Sequence, residues 1–118
     1  MTKRLGSLEQ LLMFATARLG ESAHGLSLRT ALEDATGRRV SPGAIYTTMD
    51  RLEQVGLVSS HISTERPIGG GRRRKFYRLE PEGARALSES YRSLEALADG
   101  VLPTLRRIAA GQESEGAV

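Results

Sequence analysis

Two stretches of helical periodicity in this chain are separated only by Arg38, Arg39 and Val40. In the first, Leu28, Ala31, Leu32 and Ala35 follow Ser27 on one face, and Gly37 stands where a left-handed C-terminal residue is wanted. The second opens with Ser41-Pro42. A serine can cap, and proline at the first helical position gives up no N–H the helix would use. Ile45, Met49 and Leu52 then share a face, and Gly56 ends the run. So short a turn makes the two helices cross closely, which is the helix-turn-helix pattern.

The flanking segments extend that pattern. Ser7 with Gln10 reads as a capping box, followed by Leu8, Leu11, Leu12, Ala15 and Leu19 at helical spacing and by Gly20 as a stop. Leu57 to Ser63 reads as a strand and Lys75 to Leu79 as its return, with Gly69-Gly70-Gly71 at a long hairpin tip. Three helices followed by a basic hairpin make a winged helix-turn-helix, so the fold class is mainly α with one β-hairpin. Pro81 opens a fourth helix. Along it Ala84, Leu87, Tyr91, Leu94, Ala98, Val101, Leu105 and Ile108 step alternately by three and four, a heptad seam about 37 Å long at the helical rise. Pro103 removes a bond to the Asp99 carbonyl and so kinks or breaks that helix, and Gly100 eases the bend. The expected organisation is a winged helix-turn-helix domain over residues 1–82, a C-terminal helix carrying the heptad seam over 83–111 and a flexible tail over 112–118.

Composition removes most other functions. There is no cysteine in the 118 residues, which excludes disulfides, thiol catalysis and thiolate metal sites. The two histidines, His24 and His61, have no metal-ligand spacing and no nucleophile arrangement beside them, so neither a metal, a cofactor nor catalytic residues are expected. The longest apolar run, Leu11 to Ala15, is far short of the roughly 20 residues of a membrane span. No targeting segment is read, and a cytoplasmic location is the expectation.

The charge is concentrated. Arg66, Arg72, Arg73, Arg74, Lys75 and Arg78 occupy one acid-free stretch, while the whole chain is only +3. A local basic strip on a slightly acidic body suits a polyanion. With Ile45, Met49 and Leu52 inward, the third helix turns Gly43, Thr47, Asp50, Arg51 and Gln54 outward. Small residues at its start, Ser41, Gly43 and Ala44, let a backbone approach a groove, and Thr47, Arg51 and Gln54 can bond base edges or phosphates. Asp50 faces the same way and opposes a phosphate. Plainer alternatives are a solvated amphipathic helix and a solubilising charge run. A winged domain used as a protein adaptor without an operator is the competing function. Single-stranded binding would want more exposed aromatics than Phe76 and Tyr77.

Several motifs in their order and spacing resemble the PadR-like family of bacterial transcription regulators. They are Leu5-Gly6-Ser7-Leu8-Glu9, Ala23-His24-Gly25-Leu26, Ser41-Pro42-Gly43-Ala44-Ile45-Tyr46, Arg51-Leu52-Glu53, Gly56-Leu57-Val58, the run from Arg72 to Leu79, and Pro81-Glu82-Gly83. The resemblance runs from about Arg4 into the fourth helix. It implies a homodimeric repressor acting on double-stranded DNA and not an enzyme. Ser41, Gly43, Tyr46, Thr47 and Arg51 would lie at the reading helix, Tyr46 giving its hydroxyl to a phosphate. Arg72, Arg73, Arg74 and Lys75 would form the wing contact. Leu87, Tyr91, Leu94, Ala98, Val101, Leu105 and Ile108, the heptad seam, would pair with a second chain, the alternative being that they close the core of a single chain against the first helix. It also suggests small aromatic or drug-like effectors, although the chain has no Trp and only five aromatic residues for a stacking pocket.

Overall fold

The computed structural model describes residues 4–64 and 73–111. These form two compact units that divide between Leu87 and Ser88.

The first unit is built as helix, helix, helix, hairpin. Helix α1 (Ser7–Leu19) ends in a single 3-10 turn at Gly20–Ser22, and is followed by α2 (Gly25–Thr36) and α3 (Pro42–Gln54). Strands β1 (Val58–Ile62) and β2 (Lys75–Leu79) come next, and α4 (Pro81–Ala98) begins after them. The cap of α1 lies one residue earlier than the Ser7–Gln10 pairing predicts. Gly6 is the cap, and its N–H donates to Glu9 Oε1 at 2.8 Å, while Gln10 donates instead to the Leu5 carbonyl. Helix α2 likewise starts before Ser27. His24 caps it, with Ser27 Oγ accepting from the His24 N–H at 2.9 Å and His24 Nδ1 accepting from the Ser27 N–H at 3.4 Å. Histidine is not among the favoured capping residues, which is why the local pattern points to Ser27 instead.

Gly37 takes the left-handed conformation at the end of α2, with φ of 73°. Arg29 Nε then donates to the Val40 carbonyl at 3.1 Å, which fixes the short turn into α3. The core lies where the three helices meet the sheet, with Leu12, Met13, Leu28, Ile45, Met49 and Leu52 fully enclosed. Tyr77 from β2 and Leu87 from α4 complete it. Ala35, expected inward, is exposed in the last turn of α2.

The strands pair antiparallel from Val58 opposite Leu79 to Ile62 opposite Lys75. On its other edge β2 meets the segment before α2: His24 bridges to Phe76, and the Tyr77 N–H donates to the Ala23 carbonyl at 2.8 Å. Strand β2 is therefore held on both edges, by β1 and by the helical body.

In the second unit the expected single C-terminal helix is two helices. Helix α4 stops at Ala98, Gly100 turns left-handed with φ of 74°, and α5 runs Leu102–Ala109 with Pro103 in its first turn. Proline is tolerated there because the first N–H groups of a helix have no partner inside it. Pro103 and Gly100 thus break the helix and do not merely bend it. No helix among the described residues is long and apolar enough to cross a membrane.

Candidate nucleic-acid interface

Helix α3 has one buried side and one free side. Ser41 Oγ accepts from the Ala44 N–H at 3.1 Å and Pro42 occupies the first turn, so the start of the helix is fixed. Ile45, Met49 and Leu52 are fully buried, with Thr48 beside them. Gly43, Thr47, Asp50, Arg51 and Gln54 are all exposed, as their spacing predicts. A β-carbon built on Gly43 meets nothing nearer than Ser41 Oγ at 4.0 Å, so no packing inside this chain asks for glycine there.

Tyr46, at the flank of α3, is 43% exposed. Its ring lies against the start of α2. A β-carbon on Gly25 would stand 2.7 Å from Tyr46 Cζ and 3.2 Å from Cε1, so the glycine makes the space that the ring occupies.

On the wing, Arg72 lies outside the described residues. Arg73 and Arg74 are exposed. Arg74 Nη1 is 3.3 Å from His24 Nε2. Phe76 packs edge-on to the His24 ring at 5.4 Å and stacks on His61 at 5.7 Å. A neutral imidazole has one bare nitrogen. The Ser27 N–H and the Arg74 guanidinium both approach His24 ring nitrogens, so the two groups compete for it. Burial first, and the Arg74 charge second, hold the His24 pKa below its ordinary value of 6.5.

Lys75 faces the opposite way from Arg74. Its Nζ is 3.4 Å from Asp50 Oδ1 and 3.8 Å from Glu53 Oε1, both on α3. Glu53 Oε2 accepts from Ser60 Oγ of β1 at 2.7 Å. The ammonium also sits 5.6 Å above the Tyr77 ring centre. The Tyr77 hydroxyl is buried with no hydrogen-bond partner among the described residues. Its burial, and secondarily the Asp50 charge, raise the phenol well above its usual range. By sequence alone Asp50 is an obstacle to phosphate and Lys75 an independent cation. Their pairing depends on which strand position meets which turn of α3, and that is set by the hairpin register.

The seam residues divide. Leu87 is 4% exposed and belongs to the core of the first unit, so it is unavailable to a partner. Tyr91, Leu94, Leu105 and Ile108 are each about half exposed, Ala98 is exposed and Val101 is partly covered. Leu97, at 83%, and Leu102, at 54%, are exposed apolar residues that lie off the heptad. Heptad counting assumes an unbroken helix. With the break, the apolar stripe of α5 becomes Leu102, Leu105 and Ile108, in steps of three. Among the described residues no group of three or more His, Asp or Glu could hold a metal ion.

A sequence model described as the transcriptional regulator PadR-like family matches residues 14–89. A curated transcriptional regulator of Mycobacterium tuberculosis is 48% identical over 66 residues, covering 56% of this chain and 58% of that protein. The match therefore spans little more than half of the relative's length. Among solved structures, a PadR family transcriptional regulator from Eggerthella lenta DSM 2243 is similar with a TM-score of 0.62 and 35% identity, over 83% of this chain and 85% of that one. Bacillus subtilis PadR in complex with operator DNA shares the fold, with a TM-score of 0.60 and 19% identity over 71% of this chain and 46% of that one.

Proposed function

The chain belongs to the PadR-like family of transcriptional regulators, and from that premise we propose that it is a homodimeric repressor that reads double-stranded DNA in the cytoplasm. It is a regulator and not an enzyme. Helix α3 enters the major groove, where Thr47 and Arg51 reach base edges or phosphates and Ser41 and Gly43 bring the backbone close. Tyr46 gives its hydroxyl to a phosphate. Arg73 and Arg74 of the wing, with Arg72, meet the flanking backbone or the minor groove.

The observation that carries this reading is the free side of α3. A helix whose inner side is enclosed presents Thr47, Arg51 and Gln54 outward, and carries in its first turn a glycine, Gly43, that its own chain does not need. Bacillus subtilis PadR, on the same fold, is seen with its operator, which supports the assignment.

The second unit supplies the pairing surface. Tyr91, Leu94 and Leu97 on α4, and Leu102, Leu105 and Ile108 on α5, are large apolar residues each about half exposed or more, and grouped exposed apolar residues mark interaction surfaces. A second copy covers them, and the resulting two-fold axis sets two reading helices on two half-sites. Sedimentation of the full chain beside a Leu94→Asp/Leu105→Asp variant tests this. The wild type is a dimer that retards DNA from upstream of its own gene in preference to random duplex. The variant is a folded monomer without that preference. A variant that stays dimeric with full affinity contradicts the proposal.

A further inference from the structure

We infer that Lys75 is a latch between the wing and α3 and does not itself bind DNA: it is a positioning residue that sets the angle at which the reading helix and the hairpin meet a duplex. This rests on the reading of α3 and the wing given above.

Strand alternation puts Lys75 on the same side of β2 as buried Tyr77, and Arg74, Phe76 and Arg78 on the other. From that side its ammonium reaches two carboxylates three residues apart on α3, Asp50 at 3.4 Å and Glu53 at 3.8 Å. The second oxygen of Glu53 accepts from Ser60 on β1 at 2.7 Å. One face of α3 is thereby tied to both strands. The ammonium also lies over the Tyr77 ring, so it is held from below as well.

The charges decide the role. One cation between two carboxylates leaves the cluster at −1, so it offers an approaching phosphate no net positive charge while the pairs hold. The gain lies elsewhere. Asp50 is on the outward side of α3, and Lys75 draws its carboxylate toward the hairpin and away from where phosphates run. The pairs are partly open to water, with Lys75 34% and Asp50 52% exposed at the side chain. Such pairs add little to global stability. The latch therefore acts on the relative placement of two elements that touch DNA, and it can be cut without unfolding the protein.

The test uses the full chain and a duplex enriched from a randomised pool by the wild-type protein. Affinity for that duplex and for random duplex is measured across salt concentrations for wild type, Lys75→Gln, Lys75→Arg and Asp50→Asn. Were Lys75 bound to a phosphate, its removal would lower the slope of log affinity against log salt by about 0.9. The latch predicts an unchanged slope for Lys75→Gln with a several-fold loss of preference for the enriched duplex. It predicts a smaller loss of the same kind for Asp50→Asn, which leaves the Glu53 arm in place, no loss beyond that of Lys75→Gln when the two are combined, and retention by Lys75→Arg. Because the chain has no cysteine, a pair of spin labels on cysteines introduced at Gln54 and Arg73 reports hairpin-to-helix distance cleanly. That distribution broadens with Lys75→Gln in the absence of DNA. A slope lowered by about one, with Asp50→Asn binding the enriched duplex more selectively, makes Lys75 a phosphate ligand and overturns the latch. Unchanged preference together with an unchanged distance distribution overturns it too. If the wild type enriches no duplex, the DNA reading fails, and the label distances still decide on the latch.

Discussion

The ring of Tyr46 occupies the space in which any side chain on Gly25 would have to stand. The start of α2 and the flank of α3 are thus fitted to one another through one aromatic ring and one missing β-carbon. Tyr46 is half exposed and its outer end can swing aside, so Gly25→Ala displaces the hydroxyl at small cost in stability. Gly25→Ala and Tyr46→Phe are expected to weaken operator binding alike, by about five-fold for one hydrogen bond of ~1 kcal/mol, with unfolding midpoints near wild type. Titration of the promoter fragment beside urea denaturation checks this. A large stability loss in Tyr46→Phe would show that the hydroxyl serves the fold instead.

Two other glycines separate packing from function. A β-carbon on Gly83 would stand 3.0 Å from the Leu57 carbonyl carbon and 3.0 Å from Leu79 Cδ1, against backbone that is held by the Glu80 N–H. Gly83→Ala should cost roughly 1–3 kcal/mol in urea unfolding, the ordinary penalty of overpacking. Gly43→Ala has open space around it. It should leave stability equal or raise it by up to ~1 kcal/mol, since alanine favours helix, while on the proposed approach of α3 to DNA the added methyl weakens binding. Loss of stability without loss of binding in Gly43→Ala would contradict the approach of α3 through that position.

His24 makes the fold sensitive to acid. Its folded pKa lies below the unfolded value of 6.5, through burial and then Arg74. Between the two values the unfolded chain holds a proton that the folded chain does not, so this contribution to stability is full above about pH 6.5 and is lost as pH falls through the folded pKa. The cause is local: a protonated ring is poorly hydrated in its partly buried site, and it repels Arg74. Urea midpoints of the wild type should fall from pH 7.5 to pH 5 by more than those of His24→Asn, which keeps a capping oxygen without the titration. Parallel pH profiles for the two proteins would remove His24 from the account.

Much of this is legible in local chemistry. Ser41-Pro42 opens α3, Ile45, Met49 and Leu52 fix its inner side, Gly56 closes it, and Lys75 to Leu79 marks β2 to the residue. What escapes depends on contacts distant in sequence or on competition between neighbours. Glu9 outcompetes Gln10 for the cap of α1, because three residues from Gly6 is the reach that closes the box. Met13 falls between the expected apolar positions of α1 and is fully buried. Leu87 counts as seam by spacing, yet the core of its own unit claims it. Pro103 is recognisable as a disturbance, but the left-handed Gly100 before it turns the disturbance into a break and shifts the apolar stripe of α5. The pairing of Lys75 with Asp50 requires the register of the hairpin, which no local pattern encodes.

Protection of the DNA upstream of its own gene against cleavage, at about 50 and 200 mM salt, tests the central claim most directly. A dimer reading through α3 protects two related half-sites centred about 34 Å apart, or a multiple of that. It does so strongly at the lower concentration and weakly at the higher, and Arg51→Ala abolishes the pattern. Protection that is absent, or that spreads over the fragment without regard to sequence at either salt, contradicts the account.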